Sequence, residues 1–183
     1  MLDSTPQKTV TLKLDGENLT VPEGTTIWEA ARGQGTSIPH LCHKAEPGYR
    51  SDGNCRACMV EIEGERALAA SCVRPVQAGM VVHTETKRAK KSRALVMELL
   101  AADQPDIAHD ASSHFNAMAA LNGVSESRFP ARDACHVPLL DDSHVAMNVN
   151  LDACIHCNLC VRACREVQVN DVIGMAGRGH GVQ

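Results

Sequence analysis

The sequence predicts an α+β fold, and the first evidence is a β-hairpin close to its start. Residues 9–14 alternate polar and apolar side chains, Asp15-Gly16 is a strong two-residue turn signal, and residues 18–21 resume the alternation. Side chains that alternate in this way point to opposite faces of a sheet, so one face can be buried. The first two elements are therefore expected to be paired strands.

A short helix is expected next. Thr25 or Thr26 can cap it, and Thr26 is followed three residues later by Glu29, which is the pattern of a capping box. Gly33 or Gly35 is placed to end the helix, because glycine readily adopts the left-handed conformation found after a last turn. The opening order is therefore strand, strand, helix.

A second hairpin follows a cysteine-rich loop at residues 42–58. It is predicted over residues 59–71 with its turn at Glu63-Gly64, and a short strand is expected near residues 80–83. Two hairpins and one helix that crosses them are typical of a β-grasp domain.

The rest of the chain is predicted to be mainly helical. A long helix is expected from about residue 85 to 102, because Pro105 prevents it from continuing further. A second, less regular helix is expected over residues 106–122. Residues 127–143 have the composition of a linker. A strand at residues 145–149 then precedes a helix that carries cysteines.

The charge of the chain argues against general nucleic-acid binding, because its formal net charge is −4. One basic run in the long helix is expected to be a solvated helix face, with a docking patch as the alternative. The run consists of Lys87, Arg88, Lys90, Lys91 and Arg93.

No export signal or membrane span is expected. Residues 1–10 contain no apolar segment, and no later segment reaches 18 consecutive apolar residues. A cytoplasmic, reducing setting follows, and there the nine cysteines are expected to bind metal rather than to form disulfides.

Four cysteines have the spacing C-x12-C-x2-C-x13-C and predict a 2Fe-2S site, since such a cluster takes two thiolates on each iron. Gly53 supports this assignment, because glycine lets backbone N–H groups approach the sulfides. A four-cysteine zinc site is the alternative, although zinc ribbons usually present two C-x2-C pairs. His40 and His43 are interpreted as surface residues or as hydrogen-bond partners near the cluster. The predicted ligands are Cys42, Cys55, Cys58 and Cys72.

Four further cysteines have the spacing C-x2-C-x2-C-x3-C, which is the run that bacterial ferredoxins use for 4Fe-4S clusters. In two-cluster ferredoxins the fourth cysteine of the run binds the other cluster, so the fourth ligand here is open. Cys164 completes the site, the chain is a fragment, or a partner supplies the thiolate. Cys135 is a remote candidate better interpreted as an ordinary thiol, and His156 is not expected to bind iron. The predicted ligands are Cys154, Cys157, Cys160 and Cys164.

Together the two motifs resemble the N-terminal iron-sulfur region of the α subunit of NAD-dependent molybdenum- or tungsten-containing formate dehydrogenases. The large peripheral subunit of respiratory complex I is more distantly similar. The resemblance covers essentially the whole chain. The matching stretches are residues 52–61, 69–72, 127–132 and 150–168, which include Asp52-Gly53-Asn54-Cys55-Arg56-Ala57-Cys58 and Ser127-Arg128-Phe129-Pro130-Ala131-Arg132.

Two departures from this family are informative. Many relatives carry a 4Fe-4S site with one histidine and three cysteines after the long helix, and the corresponding positions here are Gln104, Ala108, Ala111 and Ala117. No cluster is therefore expected in the helical segment. The family's second cysteine run and its large pterin domain are also absent from the sequence.

The resemblance implies an electron relay rather than a catalyst, with no substrate site on this chain. Molybdenum or tungsten pterin, FMN and NAD are expected only elsewhere in the complex. The implied partners are a flavin- and NAD-binding subunit, a small 2Fe-2S subunit and a metal-pterin catalytic portion. The alternatives are an electron-transfer subunit of a hydrogenase-type diaphorase and a zinc-stabilised interaction module.

Three domains are expected on these grounds. Residues 1–84 form the β-grasp 2Fe-2S domain, residues 85–144 a helical connector, and residues 145–183 half of a bacterial-ferredoxin-like 4Fe-4S domain. Arginines close to a cluster favour its reduction, so replacing Arg162 by Gln is expected to lower the potential of the second cluster. Arg56 and Arg165 are the other candidates.

Overall fold

A computed structural model describes residues 8–105, 110–133, 140–178 and 181–182. The described chain divides into two compact units. The first contains residues 8–40 and 51–93, and the second contains residues 41–50 and those from 94 onward.

The first unit begins with the predicted hairpin. Strand β1 (Thr9–Leu14) pairs with β2 (Glu17–Pro22) in antiparallel register. Asp15 and Gly16 form the turn with φ angles of 47° and 97°. Two successive positive φ angles are typical of a type I′ turn, whose twist matches that of the flanking strands. The prediction of this hairpin is confirmed.

The hairpin is one edge of a five-stranded mixed sheet with the order β2-β1-β5-β3-β4. The three other strands are β3 (Met59–Ile62), β4 (Ala69–Ala70) and β5 (Val81–His83). Strand β5 runs parallel to β1 and antiparallel to β3. The second predicted hairpin is also present, as β3 pairs with β4. The first unit is therefore a small mixed α/β domain.

Helix α1 (Ile27–Gly33) follows the first hairpin and begins as predicted. The Thr26 hydroxyl accepts the Glu29 N–H at 3.2 Å, and the Glu29 carboxylate accepts the Thr26 N–H at 2.8 Å. This reciprocal capping box satisfies two donors that a helix start otherwise leaves unpaired. Ile27, Trp28 and two alanines of α1 face the core. The buried core cluster comprises Leu12, Leu14, Ile27, Trp28, Ala30, Ala31, Ile38, Cys58, Val60, Ile62, Ala70, Cys72, Val76, Met80 and Val82.

The basic run of helix α2 (Lys87–Ala102) is not entirely a solvated face. Its other members are exposed, but Arg93 is only 3% exposed. Its guanidinium donates to the Thr84 carbonyl at 2.6 Å and the Met59 carbonyl at 3.3 Å, and pairs with Glu85 at 2.9 Å. Burial raises the pKa of Glu85, but hydrogen bonds from Lys90 and Arg93 outweigh it, and the net shift is downward. The interpretation of Arg93 as a solvated residue was wrong, because the carbonyl oxygens of Met59 and Thr84 accept hydrogen bonds from its buried guanidinium.

The second unit contains a helix and a second, smaller sheet. Helix α3 spans His114–Leu121 and is capped by the Ser113 hydroxyl, so it begins later than the predicted residue 106. Residues 106–109 lie outside the described part. Strands β6 (Leu140–His144) and β7 (Met147–Asn150) form an antiparallel pair.

Strand β6 corrects the last four residues of the linker predicted over residues 127–143, while residues 127–133 form no helix or strand and residues 134–139 lie outside the described part. It also shows that a hairpin spans the expected boundary at residue 144, since β6 pairs with β7. All five residues of β6 are exposed, so its sequence Leu-Asp-Asp-Ser-His lacks the alternation that marks a half-buried strand.

Helix α4 (Leu159–Arg162) follows this strand pair and continues into a π-helical turn (Ala163–Val167). This is the predicted cysteine-bearing helix, although it is short. Among the described residues, no helix has the length and hydropathy needed to cross a bilayer.

Candidate iron-sulfur sites

Cys58 and Cys72 lie at the same end of the β3–β4 pair in the first unit. They flank the β3–β4 ladder, in which Met59 pairs with Ala70. The Cys58 carbonyl accepts both the Ser71 N–H at 3.2 Å and the Ser71 hydroxyl at 2.8 Å. Both thiols are 1% exposed and belong to the core cluster. Two predicted ligands that are 13 residues apart in sequence are therefore held together by strand pairing.

The loop that leads to Cys58 is held in an unusual backbone conformation. Gly53 has φ 64° and Arg56 has φ 58°, both in the left-handed region. The turn at Arg56 directs the Ala57 N–H to the Cys55 Sγ at 3.5 Å. A non-glycine residue in this region costs about 1 kcal/mol, and such strain concentrates at functional sites. The Arg56 side chain is exposed, and the Cys55 thiol is half-buried.

Helix α1 supports the segment that carries Cys72. The Trp28 N–H donates to the Ser71 carbonyl at 3.0 Å, so the first turn of α1 is joined to the residue before Cys72. The Trp28 indole donates to the Ile38 carbonyl at 3.2 Å, and its ring meets His40 edge to face at 4.8 Å. His40 is thus a half-buried packing partner of Trp28.

Cys42, the remaining predicted 2Fe-2S ligand, belongs to the second unit. Its thiol is fully buried. Its carbonyl accepts a hydrogen bond from the Arg162 guanidinium, whose other terminal nitrogen donates to the Arg50 carbonyl. The neighbouring His43 is 8% exposed, so it is not a surface residue, and the alternative of a hydrogen-bond partner near the cluster stays a prediction.

The second cysteine group shows the same type of hydrogen bond to sulfur. The Cys154 Sγ accepts the His156 N–H at 3.4 Å, and the Cys157 Sγ accepts the Leu159 N–H. His156 and Asn158 have φ angles of 52° and 64°, respectively. With Arg56, they make three of the six described non-glycine residues with positive φ. Half of the described non-glycine residues with a positive φ angle therefore lie within the two cysteine motifs.

The environment of Cys157 disfavours a free thiolate. Burial raises the pKa of the Cys157 thiol, the Leu159 N–H lowers it, and the charges of Cys160 and Cys154 raise it again. The net shift is upward. Iron binds the thiolate, so metal binding at this group has to release a proton that the protein alone would retain.

Cys160 and Cys164 lie on consecutive helical turns. Cys160 is exposed in α4, and Cys164 is half-buried in the π-helical turn. The Cys164 Sγ accepts the Val172 N–H at 3.3 Å, and its carbonyl accepts the Asn170 N–H at 2.9 Å. Every predicted ligand of the second group is thus placed within one short segment of the second unit.

The donor set fits iron-sulfur chemistry. All eight predicted ligands are cysteines, and N–H groups aimed at Cys55, Cys154, Cys157 and Cys164 are the donors that stabilise thiolates. In the described part of the chain, no three His, Cys, Asp or Glu side chains converge closely enough to hold a single metal ion. Assignment of the ligands to particular clusters therefore rests on their spacing.

Some residues near the cysteines had no signal in the sequence. Arg162 was noted only for its charge, and its contact with Cys42, 120 residues away, has no local pattern. Cys135, Ala108 and His109 lie outside the described residues. Of the other positions of the family's additional cluster, Gln104 precedes Pro105, Ala111 is exposed and Ala117 lies in α3.

Comparison with known proteins identifies relatives of the chain. Residues 7–87 match the model of a family described as 2Fe-2S iron-sulfur cluster binding domain. Over 177 residues the chain is 34% identical to the NADP-reducing hydrogenase subunit HndD of Solidesulfovibrio fructosivorans, covering 93% of this chain and 30% of that protein. It is 32% identical over 182 residues to a subunit of NADH-quinone oxidoreductase from Rickettsia prowazekii (strain Madrid E), covering 93% of this chain and 25% of that protein.

A solved structure is also similar. A chain in the crystal structure of NAD+-reducing NiFe hydrogenase in the H2-reduced state matches with a TM-score of 0.83 at 30% identity. That match covers 94% of this chain and 73% of the hydrogenase chain. By contrast, the chain spans no more than 30% of the length of the two relatives named above. The matched residues 7–87 are therefore a domain of the 2Fe-2S ferredoxin type.

Proposed function

The chain belongs to the family of 2Fe-2S cluster-binding domains shared by subunits of NADH-quinone oxidoreductases and NAD-reducing hydrogenases, and we propose that it serves such an oxidoreductase as an electron-transfer module. One observation carries the proposal. Cys58 and Cys72 are buried cysteines at the same end of the β3–β4 pair, in the domain that the 2Fe-2S family model matches. Cysteine thiolates are the ligands that iron-sulfur clusters require, and burial excludes water from such a site.

The first site takes Cys42, Cys55, Cys58 and Cys72 as ligands of a 2Fe-2S cluster. All four lie inside the residues matched by the family model. The cluster supplies one-electron transfer, and this chain supplies thiolates, N–H donors and exclusion of water. The Ala57 N–H at the Cys55 Sγ is one such donor, since it stabilises negative charge on sulfur.

The second site takes Cys154, Cys157, Cys160 and Cys164 as ligands of a 4Fe-4S cluster. Their spacing supports this proposal, as do the backbone donors directed at Cys154, Cys157 and Cys164. Two sites in one chain give electrons an entry and an exit, as a relay requires. We propose a cytoplasmic setting, in which the thiols stay reduced until iron binds.

The parent complex is proposed to be a formate dehydrogenase, with molybdenum or tungsten pterin, FMN and NAD on other portions or subunits. The sequence similarity of residues 52–61 and 127–132 to that family supports this choice. A hydrogenase-type complex is the second candidate, favoured by the similarity to HndD and to the NAD+-reducing hydrogenase structure. A zinc-stabilised interaction module is the candidate from a different class.

Metal analysis with electron paramagnetic resonance (EPR) tests the relay. The anaerobically purified chain is expected to contain iron and acid-labile sulfide, and after reduction to show a 2Fe-2S signal and a 4Fe-4S signal. Cys72→Ser should remove the first signal and leave the second, while Cys157→Ser should do the reverse. Zinc without sulfide would instead establish the interaction module and reject the relay.

A second experiment distinguishes the two parent complexes. The native assembly is isolated through a tag on this chain and exposed anaerobically to formate or to H2. The expected result is that formate reduces the 2Fe-2S cluster, so that its EPR signal appears with formate and not with H2. An EPR signal that appears with H2 and not with formate would reject the formate assignment and support the hydrogenase candidate.

A further inference from the structure

Arg162 connects the second cysteine motif to the loop that carries Cys42. It lies in α4, between Cys160 and Cys164, and its side chain is 3% exposed. One terminal nitrogen donates to the Cys42 carbonyl and the other to the Arg50 carbonyl. A single buried guanidinium therefore joins the two ends of the 42–50 loop to α4.

Two further contacts hold the same loop against the same helical segment. The Arg50 side chain pairs with Glu166 at 3.0 Å. The backbone of Gly48 lies against Val167, so that a Cβ at residue 48 would be 3.3 Å from a Val167 methyl group. Arg162 is the buried member of this set, whereas the Arg50 side chain is exposed.

We propose that Arg162 is a positioning residue for the 2Fe-2S cluster, holding its ligand Cys42 in place from within the 4Fe-4S motif. The inference rests on the proposed function, which makes Cys42 a ligand. Because the guanidinium is a planar fork, it can serve two carbonyls at once, and a lysine ammonium lacks that geometry. Loss of the fork would free the backbone at Cys42 without touching any sulfur.

The contact also predicts a second effect of the Arg162 charge. The expected effect on the 4Fe-4S cluster stays a prediction, and both terminal nitrogens of Arg162 are directed to the 42–50 loop. A positive charge stabilises the more negative, reduced state of a nearby centre. Arg162→Gln should therefore lower the midpoint potential of the 2Fe-2S cluster.

The test compares three variants of the full chain, with circular dichroism to verify folding. Arg162→Gln removes both fork and charge, and Arg162→Lys removes only the fork. Arg165→Gln is the matched control, because Arg165 is an exposed arginine three residues away that pairs with Asp171 at 2.6 Å. The readouts are the rate at which a chelator bleaches the 2Fe-2S absorbance, and the EPR line shape and potential of that cluster.

Arg162→Gln and Arg162→Lys are both expected to speed bleaching about tenfold, since each loses charge-assisted hydrogen bonds at a buried site. Only Arg162→Gln should lower the midpoint potential of the 2Fe-2S cluster. Arg165→Gln should match the wild type in bleaching rate, EPR line shape and midpoint potential. Wild-type bleaching and line shape in Arg162→Lys would overturn the proposal, and this variant decides alone if Arg162→Gln does not fold. A wild-type chain without any 2Fe-2S signal would instead refute the proposed function.

Discussion

Gly53→Ala tests whether the left-handed loop before Cys55 holds the first cluster. Gly53 is buried with φ 64°. A Cβ at this position would lie 3.0 Å from Val73 Cγ2 and 3.1 Å from Val73 Cγ1. Alanine would therefore introduce both a strained backbone and a steric overlap, in a loop that leads directly to a predicted ligand.

The two effects have comparable size. The left-handed conformation costs an alanine about 1 kcal/mol. The overlap adds roughly 1 kcal/mol, at the low end for overpacking, because Val73 is 41% exposed and can shift. A total of about 2 kcal/mol corresponds to a roughly 30-fold change in the population of an opened loop.

The assay is the rate at which a chelator removes iron from the 2Fe-2S cluster, which increases with the population of the opened loop. Gly53→Ala should raise this rate roughly 30-fold over the wild type. In a protein that already carries Val73→Ala, adding Gly53→Ala should raise the rate only about fivefold, because only the backbone strain then remains. Gly64→Ala is the control, because it has φ 81° with no atom within 4 Å of the added Cβ. The reasoning fails if Gly53→Ala loses iron no faster than Gly64→Ala, or if the Val73→Ala background gives no relief.

Two further predictions concern the helix that supports Cys72 and the source of the fourth 4Fe-4S ligand. Thr26→Ala removes the Thr26 hydroxyl from the capping box and should lower the free energy of unfolding by about 1 kcal/mol. The thermal midpoint in a circular dichroism melt should then fall by about 4 °C. An unchanged midpoint would contradict this prediction. Cys164→Ser should abolish the 4Fe-4S EPR signal of the isolated chain and leave the 2Fe-2S signal intact. A full 4Fe-4S signal in Cys164→Ser would mean that the fourth thiolate comes from elsewhere.

The parts of the fold that were predicted correctly are those set by neighbouring residues. The first hairpin follows from alternation around Asp15-Gly16, and the start of α1 follows from Thr26 and Glu29. Both depend on side chains within four positions of the backbone that they organise. Such local determinants act in any tertiary context, so the sequence alone is sufficient to identify them.

The parts that were missed depend on distant residues. Strand β6 has no buried face, so its pairing with β7 is the only evidence of its conformation. Arg93 has the composition of a surface residue, yet it is buried because carbonyls from Met59 and Thr84 converge on it. Neither fact has a local sequence signal, since hydropathy and periodicity describe one segment at a time.

The cysteine motifs show how spacing and backbone conformation divide the information in a site. Spacing predicts the thiols as ligands, but it does not predict the left-handed residues that aim N–H groups at Cys55 and Cys157, which are Arg56 and Asn158. Asparagine tolerates this conformation, whereas arginine has no preference for it, so only one of the two turns had a sequence signal. Each turn costs about 1 kcal/mol in a protein without metal. Such strain persists in a native structure only where something compensates for it. In the proposed clusters both turns would be compensated in the same way, because the N–H that each turn presents stabilises a thiolate bound to iron.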